Sequence, residues 1–596
     1  MDHDTTRRSW LKQAGAAGAG SLLAAAAHGQ AALPAPRDGA ILERTSTSGV
    51  FIPARGRSFQ KFSFDFPEPS VALGGFEFGF RVFTHENIYG LDREAITVRS
   101  SAQGLDLVCS RFIWAGGQEK TAGTLAARLS VRADGIECTA TVELDRPIKA
   151  VATIVRGIPR GRISAAGAAF FDPRNDELLF GYPFSGGDLF GPQENGSLTT
   201  PLMLVQPAEG AILALSSLDD RVRTKRFYFQ PGDTAYRAEL LVETEGWLET
   251  RSFHAPAWRI GRATSIGAAA SAHYEHVQRA FRLPEWQDRA DVPGWLRRTA
   301  LVVTLHGMHY TGYIFNDYAR MRAILQWMAP RIDPGRVLVF LAAWDGRYYW
   351  NYPVYQPDPR MGGAEGFGDL VKEAHGLGFR VMPMFGANAA NRRQPAYAAL
   401  AGAASAKIDG DPLDLNWVDW DNDRHQEGWL TYMNLGVESW RTWLTDRIAA
   451  IVDTYGVDAY FLDIAGGWVN NPKADMHEGL RRLVSDLHRR FPQLLACGEM
   501  HYDALLEFVP LYHSFGQTLV ADQVQRYGRF FQHLSHPAPG RGSTGVHEAG
   551  FSRWDPQTLS LTDSTIPTLN VADDTFSAHQ AEMAAVIERA KARAGI

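Results

Sequence analysis

The chain runs to 596 residues, more than one ordinary hydrophobic core holds, and its 45% hydrophobic and 21% charged residues are the composition of a globular, two-domain protein. A formal net charge of −6, with Lys and Arg scattered and no basic stripe, excludes nucleic acid as a partner. The three cysteines, Cys109, Cys138 and Cys497, form no CxxC or Cys/His cluster, which excludes a structural zinc site.

At the start of the chain, Arg7-Arg8-Ser9-Trp10-Leu11-Lys12 precedes an apolar run rich in Ala and Gly from Ala14 to Ala27, and Gly29-Gln30-Ala31 supplies small residues for cleavage. Residues 1–31 thus carry the order of a twin-arginine signal, and the run is too short and too Gly-rich to span a bilayer. The expectation is export of a folded chain by the Tat translocase, placing the mature protein in the periplasm or outside, with no later membrane segment.

Residues 40–260 alternate in short runs broken by Gly, Pro, Asn and Asp, among them Gly135 to Leu144 and Ala235 to Thr244. Period-2 alternation repeated with turn signals predicts an antiparallel β-sandwich with one buried face per strand. Cys109 and Cys138 would pair only if their strands are neighbours, and are otherwise two buried thiols. Gly181 to Gly191, with aromatics among glycines, is a loop that could contact a sugar. Arg262 to Arg282 reads as a helix and Pro284 to Pro293 as a linker, so that 261–293 joins the sandwich to a second domain at 294–596.

That domain repeats strand and helix. Thr299 to Leu305, Val337 to Ala343 and Phe379 to Phe385 are continuous apolar runs, as strands buried on both faces should be, with helices at Tyr318 to Met328 and Phe367 to Leu377. After an insertion, the helix Val437 to Tyr455 leads to the stretch Gly456 to Gly467, whose apolar run ends in Asp463, and the helix Met476 to Phe491 leads to the stretch Leu494 to His501, whose run ends in Glu499. Later strands are expected at Phe530 to Leu534 and Pro567 to Ala572, and a closing helix at Ala578 to Arg593. Four clear repeats predict a (β/α)8 barrel. The fourth and fifth strands each deliver a carboxylate at the C-terminal end, where such barrels build their sites. Neighbouring strands lie about 4.8 Å apart, close enough for two acids to share one glycosidic bond, since retaining glycosidases need carboxyl groups about 5 to 5.5 Å apart.

An Asp after the fourth strand and a Glu after the fifth resembles the α-amylase superfamily and endo-α-N-acetylgalactosaminidase-like enzymes, over the span from Trp295 onward. The resemblance implies Asp463 as nucleophile and Glu499 as general acid/base, without an organic cofactor. Amylase-type enzymes carry Arg two residues before the nucleophile; here that position is Phe461, so their substrate class does not carry over.

Further substrate-binding residues are expected after other strands: Trp344 and Asp345 after the second, Asn388 after the third, His501 past Glu499, and Asp573 and Asp574 late in the chain, with Glu548 another option. The 16 Trp and 19 Tyr fit a sugar ligand as well as ordinary core packing. Asp419-Trp420-Asp421-Asn422-Asp423 imitates a calcium loop but has Arg424 where Gly is needed. No HExxH motif accompanies His306 and His309, and no metal is expected. Together these features predict a retaining α-glycoside hydrolase. The rivals are a non-catalytic carbohydrate-binding barrel, a polysaccharide lyase, and a metal-dependent hydrolase using His306, His309 and Asp345.

Overall fold

The computed structural model describes residues 36–596, apart from 47–48, 52–59, 63–65, 115–116, 118, 184–195, 248, 310–311, 348–349, 407–409, 411, 414–429, 500–501, 514–520, 534–535, 538–548 and 551–564. The signal-like residues 1–31, most of the Gly181 to Gly191 stretch, Asp419 to Asp423, His501 and Glu548 therefore lie outside the described residues.

Seventeen strands between Ile41 and Ala263 make one large sheet that folds into the sandwich. Its strands pair almost entirely antiparallel, as in Lys120–Arg132 against Gly135–Leu144 with Leu129 opposite Cys138. Burial in Gly135–Leu144 alternates residue by residue, with Ile136, Cys138, Ala140, Val142 and Leu144 inward. Cys109 and Cys138 stand on strands separated by Lys120–Arg132, and both are free, buried thiols. The helix expected from Arg262 begins later, because Arg262 and Ala263 finish the long strand Ser252–Ala263. Helix α1 (Ile266–Phe281) starts where the Ser265 side chain accepts from the Ala268 N–H, satisfying one of the helix's orphan donors.

Eight parallel strands close the barrel: β1 (Leu301–Met308), β2 (Val337–Arg347), β3 (Arg380–Gly386), β4 (Ala459–Asp463), β5 (Leu495–Glu499), β6 (Leu511–His513), β7 (Arg529–His533) and β8 (Thr565–Val571). Strand β8 pairs back onto β1 with Val302 opposite Thr568, and Asn316 reinforces the seam by donating to the carbonyls of His306 (2.8 Å) and Val571 (2.9 Å). Around the barrel run α2 (Tyr318–Met328), α3 (Gly363–Leu377), α4 (Glu438–Tyr455), α5 (Met476–Arg490) and α6 (Gln580–Ala594). In α5 the stripe Leu480, Leu483 and Leu487 is buried, and Asp475 caps the first turn through the His477 and Glu478 N–H groups. The fourth and fifth repeats thus fall where the sequence predicts them. Strand β6 has no counterpart among the expectations, being three residues long.

One buried apolar cluster runs from Val71 in the sandwich to Ala590 in the last helix, and Asp38–Ile596 forms one compact unit. Inside the barrel, Phe340, Phe461 and Phe531 meet at ring distances of 4.4, 6.0 and 6.3 Å and fill the floor beneath the strand ends. No helix among the described residues is long and apolar enough to cross a membrane.

Candidate active site

Above the phenylalanine floor, β4 and β5 run side by side with Leu462 opposite Gly498, and each ends in its acid. Asp463 and Glu499 are both buried, and their carboxyl groups are hydrogen-bonded to each other. Two carboxyls can make such a bond only by sharing a proton. Burial pushes Asp463 up to about 6, against the opposing pull of its donors. Burial raises Glu499 well above the ordinary carboxyl range, and the neighbouring Asp463 charge raises it further. Both shifts run upward, so the pair holds a proton that isolated carboxyls would have lost at neutral pH.

Two donors act on the pair: the first favours a charged Asp463, and the second, a backbone N–H on Glu499, opposes the upward shift of that acid. The Tyr352 hydroxyl donates to Asp463 Oδ2 (3.1 Å), which favours the ionised aspartate. The Ile464 N–H donates to Glu499 Oε2 (2.9 Å), an arrangement made by an unusual backbone: Ile464 has φ = +54°, costly for a β-branched residue. Asn388 holds that turn, its amide donating to the carbonyls of Ile464 (3.0 Å) and Gly467 (3.1 Å). Tyr352 reaches across the strand ends because Gly386 lacks a side chain; a Cβ there would stand 2.3 Å from the Tyr352 ring.

Asp345 ends up buried at the close of β2, just past Ala343 at φ = +48°. Its Oδ2 has no hydrogen-bond partner among the described residues, and burial pushes its pKa to about 8, with the Asp358 charge adding to the shift. The Tyr355 hydroxyl, bonded to the Gly386 backbone, lies within electrostatic reach of both Asp345 and Asp463. Trp344, its sequence neighbour, points the other way. Its ring packs on Phe367 of α3 (4.8 Å) and its Nε1 donates to the Met384 carbonyl (2.8 Å), so strand alternation puts it in the outer wall and not in the site. Asn388 shapes the site through the backbone of the β4 turn. Asp573, at φ = +46°, is half-buried past β8, and Asp574 is exposed at the start of the short helix Thr575–Ala578.

Tyr352 and His513 were not legible as site residues in the sequence. His513 sits level with Glu499 on β6, with its ring 4.8 Å from Phe531. His306 and His309 both pack on Phe315, at ring distances of 5.1 and 5.4 Å. Among the described residues no group of three or more His, Cys, Asp or Glu side chains is placed to hold a metal ion.

No protein-family model matches the sequence, and no curated protein matches it either. Solved structures do. The α-N-acetylgalactosaminidase NagBb of Bifidobacterium bifidum, in complex with GalNAc, superimposes with a TM-score of 0.60 over 93% of this chain and 92% of its own, at 12% identity. A quadruple mutant of the same enzyme gives 0.62 over the same shares. A GH31 family sulfoquinovosidase from E. rectale, bound to an aza-sugar inhibitor, gives 0.52 at 12% identity, over 94% of this chain and 79% of its own. The chain thus has the architecture of these two-part proteins, a large antiparallel sheet followed by an eight-stranded barrel.

Proposed function

We propose that the chain is a retaining α-glycoside hydrolase, with Asp463 as nucleophile and Glu499 as general acid/base. The observation that carries this is the buried carboxyl pair on adjacent barrel strands, with the Tyr352 hydroxyl donating to Asp463; on this reading Glu499 holds the proton and Asp463 the charge. Those are the protonation states that double displacement needs at its outset. In the first step Asp463 attacks the anomeric carbon while Glu499 passes its proton to the departing glycosidic oxygen. In the second, the Glu499 carboxylate takes a proton from water, the water oxygen attacks the same carbon, and Asp463 leaves as a carboxylate. Substrate enters between the two groups and parts them to about 5 to 5.5 Å. Asp345, buried and without a partner on one oxygen among the described residues, is suited to grip a sugar hydroxyl. The α-linkage is supported by the likeness of fold to an α-N-acetylgalactosaminidase.

The test is a screen of aryl α- and β-glycosides against wild type, Asp463→Ala and Glu499→Ala. Asp463→Ala should be inactive on every substrate, whereas Glu499→Ala should keep glycosylation of an activated aryl α-glycoside, whose leaving group departs with little protonation. Azide should rescue Glu499→Ala and give an α-glycosyl azide, because two inversions retain configuration. A β-configured sugar from an α-substrate would remove Asp463 from the nucleophile role. We also propose that the substrate is an extracytoplasmic glycan or oligosaccharide, supported by Arg7-Arg8 and the apolar run that follows. Replacing both arginines by lysine should strand the precursor in the cytoplasm; undiminished export would end the twin-arginine assignment.

A further inference from the structure

Asp503, four residues past Glu499, is held from outside the barrel. Asp503, 1% exposed, accepts at Oδ1 from the Tyr182 hydroxyl (2.6 Å) and the Ala504 N–H (2.8 Å), and at Oδ2 from the Thr200 hydroxyl (2.6 Å). Its own N–H donates to the Thr199 carbonyl (2.7 Å). Tyr182, Thr199 and Thr200 all belong to the sandwich. Because the single Thr200 proton goes to Asp503, the Thr200 oxygen accepts from Nε2–H of His273 in α1 (2.6 Å). Burial lowers the pKa of His273 to about 3, so the ring is neutral. Beside Asp503, the Tyr502 ring meets Tyr182 edge-on at 6.2 Å, and its hydroxyl pairs with Nδ1 of His477 in α5 (2.9 Å). Tyr502 and Asp503 together touch the sandwich, α1 and α5.

A buried carboxylate is a costly way to join two layers, since apolar side chains of similar volume would do so without desolvating a charge. What it supplies is direction: three donors converging on two oxygens fix where the backbone stands, which a sliding apolar contact does not. We propose that Asp503 is a positioning residue, through which Tyr182 and Thr200 of the sandwich set the reach of Glu499 toward the leaving oxygen. This rests on Glu499 being the acid/base.

The experiment compares leaving groups. On the sugar that wild type accepts, Asp503→Asn, Tyr182→Phe and Glu499→Gln are each assayed with a dinitrophenyl and a phenyl α-glycoside, whose leaving groups differ in their need for a proton. Asp503→Asn keeps the size of the side chain but cannot accept at both ends. It should slow the phenyl substrate about tenfold more than the dinitrophenyl one, a fraction of the full acid contribution. Tyr182→Phe should do the same to a smaller degree, and it carries the test by the same criterion if Asp503→Asn proves insoluble. Equal loss on both substrates, or a lowered melting temperature with an unchanged ratio, would overturn the proposal and leave Asp503 a structural tie. Glu499→Gln separates the two levels: if it shows no leaving-group dependence, the acid/base assignment falls and the positioning role with it. If it shows the dependence and the Asp503 and Tyr182 variants do not, only the positioning role is lost.

Discussion

The Tyr352 hydroxyl and the shared proton of Asp463 and Glu499 fix how activity should respond to pH. The proposed mechanism needs Asp463 charged, so kcat/KM should climb as pH rises through about 6, the value to which burial pushes that carboxyl. It should fall on the alkaline side as Glu499 loses its proton, the two limbs belonging to the pair and not to single residues. Tyr352→Phe removes a donor that favours the ionised aspartate, so the acid limb should move upward by about one pH unit. An unmoved limb would show that the hydroxyl does not act on Asp463 in the working enzyme. Asp345 offers a second titration. Held near 8 by burial, it is mostly protonated at neutral pH, and Asp345→Asn, which cannot ionise, should flatten any fall in rate around pH 8. The two buried acids were legible from sequence because each ends an apolar run at a strand terminus. Tyr352 was not, because its contact with Asp463 joins residues 111 positions apart through a loop without periodic signal.

Among the elements, legibility followed length and continuity. Strands β4 and β5 are flanked by α4 and α5, and each ends at the acid that closes its apolar run in the sequence. Strand β6 has three residues, too few for any period to register, yet it sets His513 level with Glu499. The neighbours Trp344 and Asp345 also could not be told apart in advance. Strand alternation sets them on opposite faces, and sequence alone does not say which face is which. The turn after β4 carries a prediction of its own. Asn388 clamps both sides of the Ile464 turn, so Asn388→Ala should lose about 1 to 3 kcal/mol of stability, read from the denaturant midpoint, by taking the amide donor from the Gly467 carbonyl and leaving the Ile464 carbonyl with the Gly467 N–H alone. It should also lower kcat, since the Ile464 N–H would no longer be aimed at Glu499.

Across the whole molecule, the sandwich hides an ionic cluster on the face away from its main core. Arg81 and Arg237 each pair with both Glu68 and Glu239, with Arg81 Nη1 and Arg237 Nη1 at 2.9 and 2.7 Å from Glu239 Oε1, and Arg156 adds a third contact to Glu68. Burial alone would raise the Glu68 pKa, but the three guanidinium groups hold it well below the usual carboxylate range. A depressed carboxylate stabilises the fold above its unfolded value of about 4, and that contribution drains away as pH falls through the folded value. Glu68→Gln leaves the guanidinium groups under-compensated and should cost about 3 to 5 kcal/mol at neutral pH, measured by chemical denaturation, with a smaller difference from wild type in strong acid. The same sandwich reaches the loop beyond Asp463: Asn470 donates to Glu243 Oε2 (3.0 Å) and the Thr244 carbonyl (2.9 Å) and accepts from the Gly246 N–H (2.6 Å). With Asn470 and Asp503 both gripped in this way, the barrel is not a cassette that recombination could lift out and splice behind a foreign partner. A chimera would inherit all eight strands and both acids yet leave their loops without counterparts, so innovation in such a lineage must proceed by substitution within an intact pair of layers, not by exchange of halves.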